Sequence, residues 1–141
     1  MDEELKLKSQ VCFPVYALSR EIVNVYRPIL EEIDITYPQY LVMMVLWENE
    51  PQKVHEIGDK LNLENGTITP LLKRMAAKGL ISRKRSSCDE RVVEISLTES
   101  GKQLQTKAAE VPQKVVKAMG ITPEDLMQLK DLVVKILNRA K

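Results

Sequence analysis

The spacing of apolar residues predicts a mainly α fold with a small β-hairpin wing, a winged helix-turn-helix flanked by N- and C-terminal helices. Three observations carry that expectation. Two short amphipathic helical patterns, at 54–61 and from about 65 to 78, are joined by a short turn. Two β-type runs, 80–83 and 92–97, follow with a polar, charged loop between them. Longer patterns of helical period stand on both sides of this block.

Taken in order, residues from about 5 to 32 read as one helix, with Val15, Leu18, Ile22, Val25 and Ile29 at three- and four-residue spacing. Pro14 is expected in its first turn or at a kink, and Pro28 should disturb its last turn. Thr36 then caps a second helix, with Pro38 in the first turn and Gln39 placed to complete a capping box. The run that follows to Trp47 is apolar on nearly all sides and belongs in the middle of the domain. Val54, Ile57 and Leu61 mark a third helix ending at Asn62 and Leu63. A fourth begins near Asn65, Gly66 and Thr67, continues through Ile68, Leu71, Leu72 and Met75, and stops at Lys78 and the cap residue Gly79. After the hairpin, Thr98 caps a helix starting at Glu99. Thr122, Pro123, Glu124 and Asp125 open the last helix with cap, proline and acidic first turn in place.

A hydrophobic content of 44% with 29% charged residues excludes wholesale disorder. The longest apolar run, 40–47, is far shorter than the ~20 residues that span a bilayer. The acidic amino terminus lacks an apolar secretory core, so a cytoplasmic location with no membrane partner is expected. One His and two scattered Cys offer no metal site, and no cofactor is implied. With no paired-carboxylate motif, no phosphate-binding glycine loop and His55 alone as a candidate base, no catalytic residue and no enzyme is expected.

A net charge of +1 argues against a polyanionic partner until it is resolved along the chain. Residues 1–72 carry −6, residues 73–91 carry +5, and residues 92–141 carry +2. Phosphate neutralisation depends on local Lys and Arg density, and the positive block covers the back of the fourth helix and the wing. Double-stranded DNA is therefore the expected partner. The fourth helix should enter the major groove by its N-terminal end, which presents Asn65, Gly66, Thr67 and Thr69. Pro70 is read as stiffening its first turn, while Lys73 and Arg74 meet phosphate. On the wing, Arg85 belongs to the basic block, and Arg91 follows Asp89 and Glu90. A carboxylate such as Asp89 can hold the Arg91 guanidinium extended toward the minor groove.

In the last helix Leu126, Leu129, Val133, Ile136, Leu137 and Ala140 form one apolar stripe, wider than a lone appendage needs. It most simply packs against a second copy or the N-terminal helix of a second subunit. The resulting homodimer would present two recognition helices to a palindromic operator.

Leu71, Leu72, Lys73, Arg74, Met75, Gly79, Leu80, Ile81, Arg83, Arg85, Ser86, Asp89, Glu90, Arg91, Leu97 and Thr98 resemble the winged helix of MarR-family transcriptional regulators. The resemblance extends over almost the whole chain. Cys12, Phe13, Tyr16, Ser19, Arg20, Glu21, Tyr26, Pro28, the run 36–41, Gly66 and Thr67 resemble its organic-hydroperoxide-sensing, OhrR-like branch. The resemblance implies a repressor that holds its operator when reduced and releases it when Cys12 is oxidised. It also implies one domain over 1–141: an N-terminal dimerisation and sensor helix in 1–35, the DNA-binding region in 36–98, and C-terminal dimerisation helices in 99–141. Related thiol-based stress and virulence regulators share these residues. A repressor released by a phenolic or other apolar ligand is the alternative of a different chemical kind.

A peroxide reacts with thiolate, so a sensor cysteine needs its charge stabilised, and burial beside Phe13 would do the opposite. The resemblance assigns the compensating hydroxyl donors to Tyr26 and Tyr37, with Tyr16 as a same-chain neighbour of Cys12. Cys12 and Tyr26 are 14 positions apart, roughly 21 Å along one helix at 1.5 Å per residue. A bond between them therefore needs Tyr26 from a second subunit. All six aromatics lie between residues 13 and 47, which also fits an ordinary core with an inert cysteine. A sulfenic acid at Cys12 would condense with a small cellular thiol, because no cysteine lies in the C-terminal helices and Cys88 lies in the wing. Pro14 departs from the family pattern, and either fixes Cys12 in the first turn or retunes the sensor.

Overall fold

The structure, a computed structural model, describes residues 2–139; Ala140 of the expected stripe lies outside them. The elements are α1 (Cys12–Glu31), α2 (Tyr37–Glu48), β1 (Gln52–Lys53), α3 (Val54–Leu61), α4 (Asn65–Ala77), β2 (Ile81–Arg85), β3 (Val93–Leu97), α5 (Glu99–Ala108), α6 (Val111–Met119) and α7 (Pro123–Arg139). They divide into two compact units: Leu30–Ala109, and the chain up to Ile29 together with that from Glu110 on. No helix of the described residues is long and apolar enough to cross a membrane.

The unit Leu30–Ala109 is a winged helix. Its core is Val42, Met43 and Leu46 of α2, Ile57 of α3, Ile68, Leu72 and Met75 of α4, and Ile81 and Ile95 of the sheet. The second helix is capped as its sequence predicts: Gln39 N donates to Thr36 Oγ1 at 3.4 Å and Thr36 N to Gln39 Oε1 at 3.0 Å. Such a reciprocal pair satisfies two amides that the helix leaves free. Trp47 Nε1 donates to the Gly101 carbonyl at 3.0 Å, which ties α2 to α5.

The sheet has three antiparallel strands in the order β1-β3-β2, one more than the hairpin expected from sequence. Its register pairs Gln52 with Ile95 and Lys53 with Glu94 on one side, and Arg83 with Ile95 and Arg85 with Val93 on the other. The added strand is two residues long and follows Pro51, so it has no readable alternation. What holds it is Gln52, 2% exposed, whose amide donates to the Val45 and Asn49 carbonyls at 3.1 and 2.6 Å while its oxygen accepts from Lys60 Nζ at 2.8 Å.

Between α3 and α4 the chain turns through Asn62, which adopts left-handed φ of 56°. The turn packs directly on Gly58: a Cβ there would lie 2.8 Å from the Leu63 carbonyl oxygen. At the far end of α4, Gly79 takes a φ of 84°, and Leu80 N bonds back to Met75 O at 3.1 Å, the glycine stop read from sequence. Lys78 reaches the Asp34 carboxylate at 3.5 Å and donates to the Asp34 carbonyl.

In the other unit the first helix starts at Cys12, later than the expected residue 5, and two short 3-10 turns, Glu3–Leu5 and Leu7–Ser9, precede it. Starting there makes Pro14 the third helical residue, where its missing N–H costs nothing. The helix passes through Pro28 to Glu31. The single helix expected after Thr98 is two, α5 and α6. Pro112 lacks the amide that would bond to the Ala108 carbonyl, and α5 ends at Ala108. No residue of α7 is buried, and Leu132, Val133, Val134, Ile136 and Leu137 are all exposed apolar side chains.

Candidate nucleic-acid interface and exposed thiol

The recognition-helix candidates sit where a short polar start leaves them. Asn65, Gly66, Thr67, Pro70, Lys73 and Arg74 are exposed and Thr69 is half-buried. They do not share one face. Asn65 and Thr69, four residues apart, line a groove of about 300 Å³ with Arg83, Arg91, Val92 and Val93 of the wing and Lys53, Val54 and His55. Lys73 is four residues further along the same helical row. Thr67 and Arg74 instead flank a second hollow of about 290 Å³ with Pro38, Leu41, Leu63 and Leu71. Pro70 is the sixth residue of α4 and not part of its first turn, which corrects the sequence expectation. At that depth it removes the amide that would bond to the Gly66 carbonyl.

The wing tip is built by its own polar groups. Ser86, 8% exposed, donates its amide to Val92 O at 2.8 Å, and its hydroxyl accepts from Cys88 N at 3.2 Å. Arg85 Nη1 donates to Glu90 O at 2.7 Å, so this arginine closes the loop as well as charging it. Asp89 takes Arg91 in a fork: Nε to Oδ1 at 3.2 Å and Nη2 to Oδ2 at 3.3 Å, with Arg91 N on Oδ1 at 3.0 Å. The side-chain hydrogen bonds from Arg91, then its backbone amide, hold the Asp89 carboxyl below its usual range, with Lys53 adding a smaller pull in the same direction. The guanidinium so held is 91% exposed.

Lys53, His55 and Arg83 escaped the sequence reading as members of this groove. Lys53 lies on β1, a strand with no alternation to announce it, and Arg83 is one of several cations of the basic block on β2. His55, the lone candidate base of the sequence, is exposed and lies on the groove wall.

Cys12 is the first residue of α1 and exposed, as is Cys88 in the wing. Phe13 and Tyr16 beside it are 45% and 61% exposed, so in the single chain no apolar core encloses this thiol. The Arg20 guanidinium stacks 4.8 Å above the Tyr16 ring. Because α1 is continuous from Cys12 to Glu31, Tyr26 stays about 21 Å from Cys12 along its own helix. Tyr37 is half-buried at the start of α2, and burial raises its hydroxyl above the ordinary tyrosine range. Tyr37 is therefore a neutral O–H donor at physiological pH.

The profile described as transcriptional regulator SarA/Rot matches residues 24–108. The chain is 47% identical over 135 residues to the organic hydroperoxide resistance transcriptional regulator of Bacillus subtilis (strain 168), covering 96% of this chain and 92% of that protein. Among solved structures it is similar to AbfR of Staphylococcus epidermidis. The reduced form of AbfR bound to DNA is 33% identical, covers 99% of this chain and 97% of that one, and superposes with a TM-score of 0.79. The disulfide-formed AbfR is 34% identical over 96% and 95% of the two chains, with a TM-score of 0.65.

Proposed function

We propose that this chain, which belongs to the SarA/Rot family of MarR-like transcriptional regulators, is a homodimeric repressor that senses organic hydroperoxides through Cys12 and leaves its operator when that thiol is oxidised. The observation that carries the reading is an exposed cysteine opening α1 in a chain 47% identical to a regulator of organic hydroperoxide resistance. That AbfR has been solved reduced on DNA and in a disulfide form supports a thiol switch on the same fold.

A peroxide reacts with the thiolate form of a cysteine. The Cys12 thiolate attacks the terminal oxygen of the hydroperoxide, the O–O bond breaks, and the alkoxide takes a proton and leaves as an alcohol. Cys12 then carries a sulfenic acid. A small cellular thiol attacks that sulfur, the hydroxyl leaves as water, and a mixed disulfide remains. Tyr26 of a second subunit and Tyr37 donate hydroxyl hydrogens to the charged sulfur. The dimer this requires is supported by the exposed apolar residues of α1 and α7, which a monomer would leave in water.

Binding to an operator duplex selected with reduced protein should fall on adding cumene hydroperoxide. Cys12→Ser should bind the same duplex and ignore the oxidant. Mass analysis should place a small-thiol adduct on Cys12 and not on Cys88. A serine variant that responds like the wild type removes Cys12 as the sensor.

A further inference from the structure

We infer that Lys78 is a positioning residue for operator recognition: its ammonium pins the C-terminal end of α4 to the turn that closes α1, so that the attitude of the recognition helix follows the helix on which Cys12 sits. The link to Cys12 rests on the peroxide-sensing reading proposed above, whereas the pinning of α4 rests on DNA binding alone.

Lys78 belongs to the basic block of the sequence, yet its place differs from that of Lys73 and Arg74. It is the C-cap of α4, thirteen positions from Asn65 and roughly 20 Å along the helix at 1.5 Å per residue. Base-reading side chains belong to the opposite, N-terminal end of a recognition helix. The Lys78 side chain, 32% exposed, is engaged within the protein. Its Nζ donates to the Asp34 carbonyl and stands 3.5 Å from the Asp34 carboxylate.

The acceptor is a fixed point. Asp34 takes a left-handed φ of 58° in the turn after α1, where Ile33 N and Ile35 N bond to Leu30 O at 3.0 and 3.2 Å and Asp34 N bonds to Glu31 O at 3.1 Å. Leu30 and Ile35 are 0% and 5% exposed, so the turn cannot slide without uncovering core side chains. The ends of α1 and α4 each carry the partial negative charge of a helix C-terminus, and the same ammonium complements both. The Asp34 carboxylate is 93% exposed and adds little to a tie made chiefly to the carbonyl.

Continuity supplies the rest. Helix α1 is unbroken from Cys12 to Glu31, and its last two residues belong to the winged-helix unit that holds α4. A rotation of α1 imposed at its Cys12 end therefore arrives at the Asp34 turn, and Lys78 passes it to the recognition helix as a contact with two arrangements, made or broken.

The test measures the affinity of reduced and peroxide-treated protein for two duplexes, one selected from random sequence with reduced protein and one scrambled, at about 50 to 200 mM salt. Lys78→Met keeps the stem and removes the ammonium. In the reduced state it should weaken the selected duplex by about 5-fold, the low end for one misaligned base contact, and leave the scrambled duplex and the salt slope unchanged. Adduct formation at Cys12, read by mass analysis, should keep its wild-type rate. Oxidised protein should change little, so the ratio of reduced to oxidised affinity falls by the same factor. Lys78→Arg, which can donate to the same carbonyl, should restore both behaviours, and Lys107→Met, on the exposed face of α5, should alter neither. Circular dichroism melts check that each variant is folded. A salt slope lower by about 0.9, with both duplexes weakened alike, makes Lys78 a phosphate contact and overturns the inference. So does a methionine variant that discriminates the duplexes as the wild type does, or a loss that arginine fails to restore. Equal losses in the reduced and oxidised states overturn the link to Cys12. A wild type that ignores the peroxide refutes the sensor reading and that link with it, while the pinning of α4 is still decided on reduced protein.

Discussion

Gly58→Ala tests whether the angle between α3 and α4 is set by one backbone approach. Alanine should ordinarily stabilise a helix interior over glycine, by about 1 kcal/mol. Here the added methyl would lie 2.8 Å from the Leu63 carbonyl oxygen, while its other close neighbour, Ile68 Cγ2 at 3.7 Å, is an ordinary contact. Restoring a normal separation needs the turn to move by about 0.6 Å, and such overpacking costs about 1–3 kcal/mol. The moving carbonyl belongs to the residue whose amide bonds to Gly58 O at 2.9 Å, a bond worth about 1 kcal/mol that the shift strains. The sum is a net loss of about 1–3 kcal/mol, or about 3–10 °C in the melting midpoint of a chain this size. Because Leu63 leads into α4, the recognition helix must tilt. Losing a single well-placed base contact costs about 1–3 kcal/mol, roughly 5- to 150-fold in operator affinity. Differential scanning calorimetry and anisotropy at 25 °C, where the variant is still folded, read the two effects separately. An alanine variant that melts above the wild type with unchanged DNA binding refutes the reasoning.

Two further perturbations follow from other parts of the molecule. The Asp89 carboxyl is held below its unfolded value of about 3.8 by the Arg91 fork, so the fork's contribution is present above that value and is lost as pH falls through the lower folded one. A carbon-detected NMR titration should show Asp89 ionised and the wing loop unchanged from pH 5 to 8, with the loop loosening only below pH 4; a midpoint above 4 removes the fork. In α7, Ile136 and Leu137 are 67% and 46% exposed, and burying such side chains is worth about 1.5–3 kcal/mol each. A double change to Glu should turn the proposed homodimer into a folded monomer by light scattering, and a variant that remains dimeric places the interface elsewhere.

The residues that announced the fold are those whose local chemistry and tertiary packing agree. The Thr36 and Gln39 capping box, the glycine stop at Gly79 and the apolar row of α4 need no distant partner to be recognised, and each forms where it was read. The misses are residues whose structure depends on something far away. Gln52 and Lys53 become a strand only because β3 is there to pair with them. Pro112 splits a helix at Ala108, and the polar sequence around it gave the break no period to interrupt. For Pro70 the helix start near Asn65 is legible and the depth is not: counted from Asn65 the proline is the sixth residue, one turn deeper than the first-turn expectation. For the site, residue identity was legible and grouping was not: Asn65 and Thr69 face the wing, while Thr67 and Arg74 face α2.

The acids of this region explain how a chain of net charge +1 can present a positive surface. Glu50 Oε1 accepts from Leu97 N at 2.8 Å, Glu56 from Lys53 N, and Asp89 from Arg91 N. In each case a carboxylate satisfies a backbone amide, and its negative charge serves the fold where a neutral acceptor could have served as well. The cations, by contrast, are largely left projecting: Lys73, Arg74, Arg83 and Lys84 are exposed and Arg91 is held outward. Replacing Lys53 alters the field of the groove without removing any of these acceptor bonds, because Lys53 contributes to the capping of α3 through its backbone amide only.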